Sequence, residues 1–134
     1  MSAIKITAAD RYFSLCVRKR AGWACERCGT GYGGPSSGLH CSHYHGRGKH
    51  ATRHDPRNCA SLCFGCHRHL GSQPYEHAEF FKARLGEYGV HALWERAGDM
   101  TIARQIKREL KEVAKHYKAE FERMETGGTF EGYM

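Results

Sequence analysis

The sequence predicts a small α+β fold, a short-stranded unit held between helices. Three observations carry it. Two Cys-x-x-Cys pairs, Cys25-Glu26-Arg27-Cys28 and Cys63-Phe64-Gly65-Cys66, bracket the middle of the chain. Between them Leu39 to His45 alternates weakly, as a strand does. Near the end Ile102, Ile106, Leu110, Val113, Tyr117, Phe121 and Met124 recur at spacings of three and four, the apolar stripe of one long helix.

The elements follow in order. Thr7 offers its hydroxyl as an N-cap and Asp10 sits in the positive first turn, so a helical segment opens the chain over residues 7–24, with Phe13, Cys16 and Val17 on one face and Ala21-Gly22 at its end. Cys28-Gly29 supplies the tight turn that two sulfurs on one ion require. Residues 29–38 read as a flexible glycine loop without packing content. Gly46-Arg47-Gly48-Lys49 reads as a turn, and the chain up to Asn58 as a return strand or irregular loop. Leu62 to His69 begins a helix at the second cysteine pair. Tyr75 to Glu87 and His91 to Arg96 follow as helices, with Leu93 and Trp94 packed. Thr101 caps the last and longest helix, about residues 102–124. One domain spans residues 1–134: the core at 25–71, C-terminal helices at 75–125 and a frayed tail at 126–134.

Composition limits the function classes. At 134 residues with 40% hydrophobic content and 16 glycines, the core is modest and a staple would help it. Seven cysteines, an odd number arranged around two Cys-x-x-Cys pairs, point to metal rather than disulfides. Met1-Ser2-Ala3-Ile4-Lys5 has no apolar core of signal-peptide length, and no run approaches a membrane span, so a reducing cytoplasm is expected and a membrane partner is not. The formal charge is +7 and the isoelectric point is near 9.2. His40 to His69 holds seven of the ten histidines, with Arg47, Lys49, Arg53, Arg57 and Arg68 against the single acid Asp55. A stretch this basic calls for a polyanion or a metal, with nucleic acid the first candidate.

The four thiolates Cys25, Cys28, Cys63 and Cys66 supply the corners of a tetrahedral structural zinc site, at about 2.3 Å per sulfur. One pair on a turn and one at a helix start is the arrangement of a treble-clef finger. A redox role would want a βαβ context that this chain lacks. Cys16, Cys41 and Cys59 read as small buried residues. Cys41 and Cys59 could also lie near each other, or Cys41 could serve a second metal site.

Asn58-x-x-x-Leu62-Cys63-x-x-Cys66-His67, preceded by His43 after a strand-like segment, resembles the HNH, or ββα-metal, endonuclease motif on a zinc-bearing treble clef. Farther out, Cys25-x-x-Cys28-Gly29-Thr30, His43-Tyr44, Arg53, His69, Gly71 and Tyr75 resemble the phage NinG (Rap) recombination endonucleases, over roughly residues 10–125. The resemblance implies a metal-dependent DNA endonuclease with His43 as general base, His67 as ligand to a catalytic divalent ion such as Mg2+ or Mn2+, and Asn58 as buttress of the loop carrying the base. Arg47, Lys49 and Arg53 would clamp phosphates. It further implies branched or Holliday-junction DNA as substrate, a phage setting within a host cytoplasm, and a possible homodimer, since two strands must be cut.

One departure stands out. The family often carries Asp or a second His directly before the catalytic His, and here that residue is Ser42, a poor ligand. His45, Cys41 and His69 are the candidates to complete the ion's shell. His40, His50 and His54 read as ordinary surface or core residues, and Tyr44 as a strand residue packing the core. Two other functions compete. One is a zinc-dependent DNA-binding module without nuclease activity. The other is a structural zinc protein that contacts proteins, which leaves the His43–Asn58–His67 spacing unexplained.

Overall fold

The structure, a computed structural model, describes residues 4–134; Met1–Ala3, read above with the N-terminus, lie outside the described residues. Thr7 opens the first helix, α1 (Ala8–Arg20), with a reciprocal cap. The Asp10 amide donates to the Thr7 hydroxyl, and the Thr7 amide donates to Asp10 Oδ2 at 2.8 Å. Gly22 at φ +67° and Trp23 at φ +57° then turn the chain sharply toward the first cysteine pair. The glycine-rich stretch that follows is tied down more than its composition suggests. Ala24 bridges Gly31, and the Tyr32 amide donates to the Trp23 carbonyl at 2.9 Å.

β1 (Leu39–His43) and β2 (Cys59–Cys63) form an antiparallel pair, with Leu39 opposite Cys63 and His43 opposite Cys59. The chain between them is not a return strand. It holds a short helix, α2 (His50–Arg53), and a 3-10 turn, Pro56–Asn58, capped by the Asp55 carboxylate. The second cysteine pair straddles a junction: β2 runs to Cys63 and α3 (Phe64–Gly71) starts one residue later, so the expected helix start at Leu62 is corrected to Phe64. Leu62 is buried on the strand, where it packs with Ala60, Leu70 and Phe81.

α4 (Pro74–Ala97) joins the two expected helices across a kink at Gly86, whose φ of +74° only glycine adopts without strain. Leu93 is fully buried as expected, whereas Trp94 is 58% exposed. The apolar stripe of the C-terminal region is real but spans two helices, α5 (Met100–Arg108) and α6 (Leu110–Arg123), broken at Glu109. The cap of α5 is the Asp99 carboxylate, which accepts from the Ile102 amide at 3.0 Å, and not Thr101. The stripe stays continuous across the break. Ile106, Val113, Tyr117 and Met124 bury against Phe13, Cys16 and Val17 of α1.

Residues 126–134 are not frayed. Phe130 is buried against Phe13 and Tyr117, the Glu131 amide donates to Glu120, and the Tyr133 amide donates to the Tyr117 hydroxyl at 3.0 Å. No helix among the described residues is long and apolar enough to cross a membrane.

A buried ion cluster ties α1 to α2. Arg53 grips Asp10 with both arms of its guanidinium, Nε to Oδ1 at 2.9 Å and Nη2 to Oδ2 at 2.7 Å, while His54 Nε2 meets Oδ1 at 2.9 Å. Arg53, His54 and Asp10 are each at most 5% exposed. Burial would raise the Asp10 carboxyl, but the bonds from His54, Arg53 and the Thr7 amide outweigh it and hold it well below the usual carboxylate range. Asp10→Asn is expected to destabilise the fold by about 3–5 kcal/mol, because it leaves Arg53 buried beside a neutral partner. A group with a depressed folded pKa stabilises fully above its unfolded value, near ~3.9, and loses that contribution as pH falls from there. Urea unfolding should therefore show a constant gap between wild type and variant from pH 5 to 8. Below about pH 4 the gap should narrow, approaching about 1.4 kcal/mol per pH unit.

Candidate metal centre and histidine cavity

The two cysteine pairs converge. The Sγ atoms of Cys25, Cys28, Cys63 and Cys66 all lie within 4.8 Å of one another, and Cys28 and Cys63 are 3.8 Å apart. Sulfurs at the corners of a tetrahedron about 2.3 Å from a central zinc would be roughly 3.8 Å apart, so the donor set fits a structural zinc. Each pair folds its own backbone toward the sulfurs. The Cys28 amide reaches Cys25 Sγ at 3.5 Å and the Cys66 amide reaches Cys63 Sγ at 3.4 Å. Gly29, at φ +81°, closes the first turn by donating to the Cys25 carbonyl.

Arg27 Nη1 donates to Cys66 Sγ at 3.3 Å, and the Thr30 hydroxyl lies 3.2 Å from Cys28 Sγ. Thr30 pulls Cys28 down to about 6, while burial pushes Cys66 up to about 12. Glu26 docks this turn on the sheet. Its amide donates to the Ser61 carbonyl at 2.8 Å, its carboxylate accepts from the Ser61 amide at 2.6 Å, and Arg84 of α4 closes on it at 3.1 Å.

The cysteine junction fixes the start of α3 and with it His67. His67 shares a cavity of about 290 Å3 with His43, the last residue of β1; Ile4, Cys41, Gly46 and Arg47 complete its lining. His43 is held firmly. Its Nε2 lies 3.1 Å from the Arg53 carbonyl, which can only accept, so Nε2 carries the ring hydrogen and Nδ1 keeps its lone pair. Burial, with Arg47 nearby, lowers His43 to about 4, so the ring is neutral at ordinary pH. Burial and the neighbouring His40 lower His67 as well.

Asn58 acts as a clamp. Its Oδ1 accepts from the His45 amide at 2.8 Å and its Nδ2 donates to the His45 carbonyl at 2.9 Å, both buried. The 3-10 turn before β2 thereby pins the chain as it leaves β1, two residues after His43.

Other expected site residues lie elsewhere. Arg53 is no phosphate clamp: its guanidinium is committed to Asp10 and the Lys5 carbonyl, and its backbone carbonyl is what positions His43. His45 packs its ring edge-on against Trp94 at 4.4 Å and does not line the cavity. His69 pairs with Glu76 on the surface at 2.6 Å. Lys49 is exposed beyond the loop, whereas Arg47 lines the cavity and its buried Nε has no partner.

His40 is the residue that sequence reasoning passed over. Its Nδ1 sits 2.9 Å from His67 Nδ1, and its Nε2 sits 3.0 Å from the Ser37 carbonyl. Strand alternation carries the missed signal, since His40 and Ser42 share one face of β1. Ser42 itself is only 2% exposed. Comparison of the chain with protein-family models, with curated proteins and with solved structures returns no match.

Two outcomes are expected. Removing the metal with a strong chelator, or Cys63→Ser, should unfold the region, seen as loss of helical circular dichroism. Structural zinc is worth about 10–16 kcal/mol in small domains, comparable to or above the whole stability of a chain this size. Asn58→Ala should cost about 2–4 kcal/mol in chemical denaturation, for two lost hydrogen bonds and two buried backbone groups left unpaired.

Proposed function

We propose that this chain is a metal-dependent DNA endonuclease of the HNH type, its nuclease centre mounted on a four-cysteine zinc staple. The observation that supports it best is the His43–His67 cavity. A neutral imidazole with its tautomer fixed, a second imidazole and an arginine line one space, and Asn58 clamps the backbone beside them. The order of parts, β1 with His43, then Asn58 and β2, then α3 with His67, agrees with the resemblance seen in the sequence.

The residues divide the chemistry as follows. His43 Nδ1 accepts the proton of an attacking water while the Arg53 carbonyl holds the opposite nitrogen. Arg47 contacts the phosphate through its free guanidinium edge. A divalent cation bound at His67 would offset charge on the phosphate and on the leaving oxygen. His40 would supply the second ligand that Ser42 does not provide. Its Nε2 hydrogen goes to the Ser37 carbonyl, the outer partner that a metal-binding imidazole takes, and its Nδ1 faces His67. A His40–His67 imidazole pair with no carboxylate beside it would suit Mn2+, Ni2+ or Zn2+ better than Mg2+.

The net charge of +7 supports DNA as the partner. Branched recombination intermediates, and a pair of chains to cut their two strands, are the finer part of the proposal. A second reading, a DNA-binding module without cleavage, is favoured by one feature: Ser42 is buried and the cavity wall offers no acid.

Zinc-loaded protein incubated with duplex, plasmid and four-way-junction DNA should cut in Mn2+ and not in EDTA. His43→Ala should lower the rate by about 10²–10⁴-fold with DNA affinity retained. Tight binding with no cutting under any ion would support the second reading.

A further inference from the structure

Cys41, His43 and Cys59 form a cluster outside the zinc staple, and the proposed cleavage chemistry uses only its histidine. One ligand atom from each, two Sγ and a ring nitrogen, lies within 4.8 Å of the others. The sheet register puts them there. His43 faces Cys59 directly across the strands, and Cys41 lies two residues earlier on the same face of β1. Both thiols are buried, Cys59 completely and Cys41 to 7% exposed.

Apolar packing alone accounts well for the third spare cysteine, Cys16, whose Sγ donates to the Tyr117 carbonyl at 3.3 Å deep in the α1–α6 core. Cys41 and Cys59 belong to the same apolar core, but unlike Cys16 they also converge on an imidazole. Because His43 Nε2 is committed to the Arg53 carbonyl, the nitrogen left to bind is Nδ1. Cys41 and His43 also line the 290 Å3 cavity, so an ion can reach them from solvent, with room for a water or a phosphate oxygen as a fourth ligand. The Arg20 guanidinium donates to the Cys59 carbonyl at 2.9 Å, but burial holds the Cys59 thiol well above its usual range, so an arriving ion would have to displace its proton.

We propose that Cys41, His43 and Cys59 form a second metal site for a thiophilic divalent cation, of the zinc and cobalt class, separate from the four-cysteine staple. Two thiolates and one imidazole select borderline and soft ions over Mg2+. Capture of the dication releases the two thiol protons and leaves a neutral three-ligand unit. The site deepens the nuclease reading and, for its consequence only, rests on it: a His43 lone pair held by the ion is not available to a water, so zinc in excess slows cleavage.

The test uses the full chain loaded with one equivalent of zinc and titrated with Co2+, following the sulfur-to-cobalt charge-transfer absorption. A second equivalent should bind and produce that band. The band should be lost in Cys59→Ala, and binding should weaken at least tenfold in His43→Ala, with the first zinc retained in both by metal analysis. His43 is the more accessible position, so its variant decides the matter if Cys59→Ala does not fold by circular dichroism. Binding of one equivalent only, uptake without the charge-transfer band, or a band unchanged in both variants would overturn the site. These readouts are independent of cleavage, so a chain that takes up the second ion and cuts no DNA counts against the nuclease reading alone.

Discussion

The rest of this structure depends on the convergence of four sulfurs. Cys25 and Cys28 sit on a turn before the sheet, and Cys63 and Cys66 sit where β2 becomes α3. One ion shared by these sulfurs would join a loop poor in apolar residues to the only strand pair among the described residues. It would also set the direction in which α3 leaves the sheet. His67 follows Cys66 directly, so the cysteine junction that an ion would staple also aims a histidine at the end of β1. Without that junction His43 on β1 and His67 on α3 would be related only through a two-stranded ribbon, which is marginal on its own in water.

A second layer of constraint acts on His43. Asp10 of α1 holds the Arg53 guanidinium, and the Arg53 carbonyl holds the His43 ring. Asn58 pins the backbone on the other side of the same turn. The N-terminal helix therefore reaches the cavity through two bonds, one ionic and one through the backbone. This chain of contacts explains why a costly buried ion cluster sits beside the turn that carries the Arg53 carbonyl. Its loss would free both the short helix α2 and the carbonyl that fixes the tautomer of His43.

Much of this was legible in the sequence, for identifiable reasons. Cys-x-x-Cys spacing is set by the geometry of one ion, so it survives any ambiguity in secondary structure. The Thr7–Asp10 cap is local, and it formed as read. The role of Arg53 was not legible, because a basic residue in a basic stretch reads as surface and its partner Asp10 lies far earlier in the chain. His40 was missed because its meaning comes from α3, across the sheet. The break at Glu109 left no trace, since α5 and α6 present one unbroken stripe to α1. The tail looked free because its two anchoring aromatics, Phe130 and Tyr133, are spaced among glycine and polar residues.

The most direct test of the central claim is X-ray absorption at the zinc edge, on full-length protein loaded with a single equivalent of zinc. The account predicts a first shell of four sulfurs at about 2.3 Å with no nitrogen or oxygen ligand. A shell containing histidine nitrogen or water, at about 2.0–2.1 Å, would contradict it: the first ion would then occupy the histidine cavity, and the four cysteines would not be the staple on which the fold rests.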